Sequence, residues 1–424
     1  MIFSIVIAAL VVFIAYFHWV QGLLSGIISM VLAVLAGSLA VGYHEAVVAG
    51  ILGGKMADTA NGAMLCVIFA VVYGVGRIAF DSLIPGNVRL PLYLDRIGGG
   101  VCGLVVGLFA AGNLALAIQS MPFGPSILGH SRYAIAEDKE VTVNGERRQE
   151  SAMLSGALEM EGDQNAPDES KEIGLWTNAD TVLTDFTAFQ SESGALAGGT
   201  KLRDRHPNLV RELFFQRLGI EPAAKRTALN IGSREDIKVT DAFAPTTPLQ
   251  QTDGENPSLN RGRNLPKQVK ADPSKVTLVL RINIAKNATD ADSRFRFSPG
   301  SVRLVASGKD ITPVGVLYEP GRMNLLMNYR VDDYLVAELD KGSGVAIVDL
   351  VFIANRDDVL ADPAAKDGLK LKPNVFLEVK RLARVDLSEK DLAARMPSAP
   401  ASTGMVWKKE AVLAVGKAGE PAAR

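Results

Sequence analysis

Few residues of this chain stand at spacings that carry catalytic or metal-binding chemistry. Gly53-Gly54-Lys55 partly matches a phosphate-binding loop, but Met56 stands where that loop requires Ser or Thr. Asp290-x-Asp292 fails as a calcium loop, because Arg294 takes the fifth position. The histidines are scattered and both cysteines lie in apolar segments, so no zinc-site spacing is present: His18, His44, His130, His206, Cys66 and Cys102. We nominate no catalytic, metal-binding or cofactor-binding residue and expect a non-enzymatic protein.

Polar residues within apolar segments form a second candidate group. Asn113 and Gln119 are the deepest neutral ones, and Arg77 and Asp81 stand four residues apart near the end of a segment. In a membrane such groups can line a route for protons or solutes. The interpretation that we favour is anchoring of the helix by Arg77 and Asp81 at the lipid headgroups. No segment shows the paired carboxylates or broken helices of a transporter core.

Four long apolar segments must position these residues. They cover residues 1–20, 22–42, 62–80 and 97–119, and each is close to the roughly 20 residues that a helix needs to cross a bilayer. No comparable run follows residue 120. The first segment lacks the basic start and the cleavage site of a signal peptide, so we expect it to remain as a helix. The sequence predicts an α-helical four-span transmembrane bundle over residues 1–120, in contact with the lipid bilayer.

Basic residues beside the spans predict the orientation. Arg77, Arg89 and Arg96 surround the third loop, against Lys55 and Arg132 on the opposite side. Three against two predicts that the first and third loops are cytoplasmic, in the cell inner (plasma) membrane. Both termini and the soluble region are then extracytoplasmic. With 45 Lys and Arg against 46 Asp and Glu, the charge gives no argument for nucleic acid as a partner.

Small residues recur at every fourth position of the fourth span. This stripe comprises Gly99, Gly103, Gly107 and Ala111, and the second span repeats the spacing at Gly22 and Gly26. In lipid, small residues let two helix backbones approach closely enough for strong packing. One interpretation is self-association of copies through these faces. The other, which we favour, is packing inside one four-helix bundle.

Two stretches of the apolar region resemble the colicin V production protein family. Residues 16–41 (YFHWVQGLLSGIISMVLAVLAGSLAV) are similar to that family's corner between its first two helices. Residues 94–108 (LDRIGGGVCGLVVGL) are similar to the segment leading into its fourth helix, and Asp95, Arg96 and Gly98 carry most of the likeness. The family's usual basic residue before the corner glycine is Gln21 here. The resemblance covers residues 1–120 and implies an inner-membrane protein with a role in toxin production or export, without established enzymatic chemistry.

Beyond residue 120 the chain alternates between linker and folded patterns. Residues 121–174 predict a polar linker, and residues 233–273 predict a flexible one. Between them, residues 175–232 predict two amphipathic helices, which we expect to pack as a hairpin rather than to lie on the membrane surface. Residues 274–390 show short alternating runs separated by turn residues, which predict an all-β antiparallel sandwich. A strand within residues 403–416 is a candidate for completing it.

The pattern as a whole predicts a membrane-anchored interaction protein. We expect the β-sandwich to contact proteins or polymers of the cell envelope, in support of toxin production, secretion or envelope integrity. The alternative is a small transport or channel component. Its route would run between the four helices past Asn113 and Gln119, with Arg77 and Asp81 nearer one end.

Overall fold

The fold is taken from a computed structural model of the chain. The structure describes residues 1–52, 57–83, 91–124, 126–133, 139–143, 146–150, 172–194, 201–218, 236–246, 249–252, 272–289, 294–297, 299–318, 324–327, 335–339, 342, 344–380, 383–394 and 406–407. The chain divides into two compact units. The helical unit comprises Met1–Arg132 and Ile173–Phe214, and the β unit comprises Tyr133–Glu172 and Phe215–Arg424.

Four long helices form most of the helical unit: α1 (Ile2–Gln21), α2 (Leu23–Leu52), α3 (Ala57–Leu83) and α4 (Leu92–Gln119). All four are long and apolar enough to cross a membrane, which confirms the coarse prediction of four apolar helices. α2 continues ten residues beyond its predicted end at residue 42. The prediction stopped there because His44 and Glu45 interrupt the apolar run, but neither residue breaks a helix.

Three shorter helices follow α4 among the described residues before the first strand of the eight-stranded sheet: α5 (Ala179–Ser193), α6 (Leu202–Arg205) and α7 (Leu209–Leu218). α5 packs against α2 and α4, since Leu183 and Ala188 share a buried apolar cluster with Ala33 and Phe109. Leu209 and Leu213 of α7 join the same cluster. The segment predicted as a hairpin of its own therefore belongs, as far as Phe214, to the same compact unit as the four long helices.

Among the described residues, the β unit contains seventeen strands, two 3-10 helices (Lys286–Ala288 and Pro299–Ser301) and one short α-helix, α8 (Arg356–Val359). The strands are β1 (Lys139–Val143), β2 (Glu146–Glu150), β3 (Ile237–Ala244), β4 (Gln250–Thr252), β5 (Lys275–Ala285), β6 (Arg294–Phe297), β7 (Val302–Ala306), β8 (Lys309–Ile311), β9 (Gly315–Tyr318), β10 (Asn324–Met327), β11 (Leu335–Glu338), β12 (Val345–Asn355), β13 (Leu369–Lys370), β14 (Phe376–Val379), β15 (Ala383–Asp386), β16 (Asp391–Ala394) and β17 (Val406–Trp407).

The largest sheet has eight strands in the order β13-β16-β3-β5-β12-β9-β10-β4. Its centre is antiparallel, with Leu280 of β5 opposite Leu350 of β12. Two pairs nearer the edges, β16 with β3 and β10 with β4, are parallel. The prediction of a purely antiparallel fold is therefore wrong for this sheet, which is mixed. A four-stranded sheet (β15-β14-β7-β8), a three-stranded sheet (β17-β11-β6) and the β1–β2 hairpin are antiparallel.

One hydrophobic core joins the three larger sheets. Leu280 and Phe352 of the eight-stranded sheet, Leu304 and Leu377 of the four-stranded sheet and Phe297 of the three-stranded sheet belong to it, and all are fully buried. A smaller cluster covers the other face of the central strands: Phe243, Leu249, Val279, Val314, Leu317 and Val351. β5 is therefore buried on both faces at its centre.

The segment predicted as a flexible linker between residues 233 and 273 contains two strands, β3 and β4. β3 lies directly beside β5 in the eight-stranded sheet. Its register shifts between Val239 and Asp241, so its side-chain alternation breaks in the middle. A β-bulge of this kind removes the period of two on which the sequence prediction depended.

Candidate functional site

The small-residue stripe of α4 faces α1 of the same chain. A Cβ on any of its three glycines would meet the α1 backbone: 2.5 Å from the His18 carbonyl oxygen at Gly99, 2.9 Å from the Ala15 Cα at Gly103, and 2.8 Å from the Val11 carbonyl oxygen at Gly107. Ala111 packs with Phe3 and Ile7 of α1. Gly26 of α2 approaches the Gly99 Cα in the same way. The stripe therefore serves contacts within the bundle, and the same face is not open to a second copy.

The corner between α1 and α2 is tied to the first turn of α4. Gly22 adopts φ 94°, a left-handed conformation that favours glycine. A Cβ there would also lie 2.6 Å from a carboxylate oxygen of Asp95. Oδ1 of Asp95 accepts a hydrogen bond of 2.7 Å from the backbone N–H of Leu23, the first residue of α2. Asp95, which belongs to α4, thus caps the N-terminus of α2. A carboxylate is also stabilised at this position by the positive end of the α2 helix dipole.

The other two residues of the family resemblance differ in their surroundings. Gly98 lies against Leu23, where a Cβ would approach the Leu23 side chain to 2.7 Å. The side chain of Arg96 is exposed. Asp95 and Gly98 therefore have a packing role at the corner, and the structure gives no comparable contact between Arg96 and any other described residue.

Arg77 and Asp81 form an ion pair on α3 with 3.1 Å between Nε and Oδ2. The guanidinium of Arg77 also reaches α2, where it donates to the Ser25 carbonyl and hydroxyl and to the Ser29 hydroxyl, at 2.9 to 3.3 Å. These contacts cross-link α2 and α3. The anchoring of Arg77 and Asp81 at the lipid headgroups stays a prediction, and the hydroxyl contacts add a helix-packing role that the sequence did not indicate.

Asn113 and Gln119 are both buried, but their surroundings differ. The Asn113 side-chain amide donates to the Leu65 carbonyl of α3 at 3.2 Å, while its own carbonyl oxygen, Oδ1, is buried without a hydrogen-bond partner among the described residues. Gln119 donates to Asp180 of α5 at 2.9 Å. Asp180 is fully buried and also pairs with Arg132 at 3.4 Å. Gln119 therefore helps to attach α5 to the end of α4.

A charged cluster lies where α2 meets α6 and α7, and the sequence did not predict it. Both ring nitrogens of the buried His206 bind carboxylates: Nδ1 lies 2.7 Å from Glu212, and Nε2 lies 3.0 Å from Glu45. Arg205 adds a longer contact of 3.5 Å to Glu45. The other carboxylate oxygen of Glu45, Oε1, lies 4.0 Å from Nε2 of His44.

The charge state of His206 follows from these contacts. Burial by itself would lower the pKa of the imidazole, but the charges of Glu45 and Glu212 and their hydrogen bonds outweigh it and raise the pKa of His206 to about 9. His206 is therefore a cation at neutral pH, held between two carboxylates. The cluster joins α2 to the shorter helices, and removal of one member of a buried ion pair is strongly destabilising because it leaves a buried charge uncompensated.

Separation along the chain explains why this cluster was missed. Glu45 and His206 are 161 residues apart, and neither belongs to a local motif. One signal was available in the sequence, namely a charged residue in an otherwise uncharged helix at Glu45. A charge in such a position requires a partner, but the sequence does not say which residue supplies it.

The β unit contains its own buried charges. Arg281 and Asp349 are directly opposite each other on β5 and β12 and form a bidentate pair with two contacts of 2.7 Å. Arg303 of β7 binds Asp310 at 2.6 Å and Glu378 at 2.9 Å. These are cross-strand and neighbouring-strand pairs, which stabilise the register of a sheet. They give no arrangement of nucleophile and base.

Two sequence patterns that were considered as chemical sites fall outside the described residues. They are residues 53–56, which include the Gly-Gly-Lys pattern, and the Asp290–Asp292 pattern. No protein-family model matches the chain, and no curated protein or solved structure shows significant similarity to it.

Proposed function

We propose that the chain is a non-enzymatic integral membrane protein whose four long helices anchor an extracytoplasmic interaction region. The interaction region is the β unit, which we propose to be of the sandwich type because its three larger sheets share one core. Its partners would be proteins or polymers of the cell envelope, and its role would support toxin production, secretion or envelope integrity. This role agrees with the resemblance of residues 1–120 to the colicin V production family.

One observation carries the anchoring part of the proposal. Two polar side chains inside the four helices donate hydrogen bonds to a neighbouring helix: Arg77 to Ser25 and Ser29, and the amide of Asn113 to the Leu65 carbonyl. Hydrogen bonds between helices, together with small residues, are the interactions that hold membrane helices together where no hydrophobic drive exists. A bundle fixed in this way suits an anchor better than a moving pathway.

Cysteine labelling in intact cells tests the extracytoplasmic part. The chain has two cysteines, Cys66 and Cys102, which are replaced by Ala. A new cysteine is then placed at the exposed Lys366 of the β unit, and a matched one at the exposed Ser82 near the end of α3. A membrane-impermeant maleimide should label Lys366→Cys in intact cells, and Ser82→Cys only after the cells are permeabilised. The reverse labelling pattern would place the β unit in the cytoplasm and remove the envelope role.

A transport role is the second candidate, and one observation favours it. Oδ1 of Asn113 and Oδ1 of Asn61 are both buried in the helical unit, and neither has a hydrogen-bond partner in the part of the chain that the structure describes. The two residues lie close together, because Leu65, which Asn113 binds, is one turn from Asn61 on α3. Unpaired carbonyl oxygens in a membrane region suit bound water or a passing proton.

Proton flux into vesicles separates the two candidates. Purified protein is reconstituted with a pH-sensitive dye inside the vesicles, and Asn113→Leu is compared with the unchanged chain. The anchor proposal predicts equal and background-level flux for both. A flux above background that Asn113→Leu abolishes would favour the transport role instead. Val71→Leu, on the exposed face of α3, serves as the control for a substitution of similar size.

A further inference from the structure

Among the described residues between the end of α4 and the start of α5, four large apolar side chains are exposed. Their exposed fractions are 51% for Phe123, 58% for Leu128, 48% for Ile173 and 61% for Trp176. We call these four residues the collar. Exposed apolar side chains that stand singly need no explanation, but a group of them marks an interaction surface.

The backbone that carries the collar is fixed to the ends of α1 and α4. The N–H of Phe3 donates to the Leu128 carbonyl, and the terminal amine of Met1 donates to the carbonyl of the next residue, Gly129. The N–H of Ile173 donates to the Arg132 carbonyl at 2.6 Å, which joins the two collar segments. The collar is therefore held in one place relative to α1.

Alternating burial directs the collar side chains outward. Ile127 and Leu175 are buried against Phe3, Ile7, Ala111 and Ala115 of α1 and α4. Their immediate neighbours, Leu128 and Trp176, are the two most exposed members of the collar. Leu128 adopts φ 47° in the tight turn between Ile127 and His130, so the turn presents its side chain to the surroundings.

The collar continues the apolar surface of α1. Met1 and Phe3 bind the collar backbone, and apolar side chains in this part of the chain are exposed: Met1, Ile2, Ile5 and Val6. At the other end of the same helix, Tyr16 and Trp19 are exposed. The 20 residues of α1 span about 30 Å, which is the thickness of a bilayer hydrocarbon core. Tryptophans therefore stand near both ends of this length, as they do at the two interfaces of membrane proteins.

We propose that the collar is a lipid-binding surface that inserts into the boundary between headgroups and acyl chains of one leaflet. Its occupant is lipid because its apolar surface is continuous with the lipid-facing side of α1. The collar fixes how deeply the helices sit in the bilayer at the interface near the N-terminus of α1. Trp19 lies at the opposite interface. This inference rests on the proposed membrane location and extends it to segments outside the spans.

Tryptophan quenching by brominated lipids tests this proposal. The chain has three tryptophans, Trp19, Trp176 and Trp407, so replacing two of them by Phe leaves each one as a single probe. The full-length chain is reconstituted in phosphatidylcholine vesicles that carry bromine either near the headgroup or near the chain end. Trp176 alone should be quenched roughly twofold more by the shallow bromines than by the deep ones, as expected for an interfacial tryptophan.

The other two probes separate the possible failures. Trp19 alone should show the same preference for shallow bromines, and Trp407 alone, from the β unit, should show little quenching. If Trp176 behaves like Trp407 while Trp19 is quenched, the collar proposal is wrong and the membrane location stands. If neither Trp19 nor Trp176 is quenched, both are wrong.

A second measurement avoids the double replacements, in case one of them disturbs folding. Only Trp176→Phe is made, an exposed position, and quenching of this variant is subtracted from quenching of the unchanged chain. The difference should again be larger with shallow bromines. A difference of zero, or one that is larger with deep bromines, would overturn the proposal.

Discussion

The helical unit and the β unit use side-chain size in opposite ways. In the helical unit the closest contacts join glycine to backbone, as for Gly103 against Ala15 and Gly107 against Val11. In the β unit the core consists of large side chains such as Leu350 and Phe352. In water, burial of apolar area contributes about 25 cal/mol per Å². Between helices in lipid that contribution is missing, so close approach and hydrogen bonds must replace it.

This difference has a direct consequence for substitutions. The helical unit should be most sensitive to added atoms, because its contacts depend on the absence of side chains. The β unit should be most sensitive to removed atoms, because its contacts depend on filled volume. Two predictions test this contrast directly, and two more test the His206 cluster and the Asp95 cap.

The largest effect is expected from Gly107→Leu. A Cβ at Gly107 would already lie 2.8 Å from the Val11 carbonyl oxygen and 3.1 Å from the Val11 Cα, and backbone atoms cannot move aside. We expect a loss of more than about 3 kcal/mol and failure of the four helices to assemble. Size-exclusion chromatography and thermal unfolding in detergent measure this. Gly74→Leu is the control, because nothing lies within 4 Å of its Cβ, and equal damage from both would contradict the account.

Leu350→Ala should cause the next largest effect, in the β unit. Leu350 is fully buried at the centre of the eight-stranded sheet, so the shorter side chain leaves a cavity in the shared core. The expected loss is about 2–5 kcal/mol in the free energy of unfolding. Chemical denaturation followed by near-ultraviolet circular dichroism measures it. Ile353→Ala, at a partly buried position of the same strand, should cost less than half as much.

The His206 cluster should make the attachment of α6 and α7 depend on pH. The pKa of His206 is raised to about 9 from an ordinary value of 6.5. Its contribution to stability is therefore complete below pH 6.5 and is lost as the pH rises through about 9. The thermal midpoint in detergent should fall over this range. In the variant His206→Ala, the thermal midpoint should not fall between pH 6.5 and 9. This variant should also lose about 3 kcal/mol in the free energy of unfolding at neutral pH, because two carboxylates lose their cation.

The smallest effect is expected at the corner. Asp95→Ala removes the acceptor for the Leu23 N–H and should cost about 1 kcal/mol, as for loss of an ordinary helix cap. Asp95→Asn keeps a carbonyl acceptor and should cost less. Thermal unfolding of the two variants in detergent compares them. A greater loss for Asn than for Ala would show that the Asp95–Leu23 hydrogen bond does not stabilise the corner.

Local composition explains why the four helices were predicted. An apolar run of some 20 residues has one stable form in lipid, so no knowledge of the rest of the chain is needed. The end of α2 was harder to predict from the sequence. His44 and Glu45 interrupt the apolar run as a loop would, and only the structure shows that His206 binds Glu45. The spacing of the small residues in α4 indicates that another helix packs against them. It does not show whether that helix is α1 of the same chain or a helix of a second copy.

Contacts that are distant along the chain explain most of what was missed. The pairing of Glu45 with His206, and of Gln119 with Asp180, depends on how α5–α7 return to the bundle. β3 was hidden by its bulge at Val239 and Asp241, and it lies within a stretch whose composition is typical of a linker. The parallel pairs of the eight-stranded sheet depend on β3 and β4, so a purely antiparallel fold was the natural prediction without them.

Extraction of the full-length chain from cell membranes tests the central claim that the first 120 residues lie in lipid. Membranes from cells expressing the chain are washed with concentrated urea, and pellet and supernatant are compared before and after addition of detergent. The account predicts that the chain stays in the pellet through the urea wash and is released only by detergent. Release of the chain into the supernatant by urea alone would contradict it.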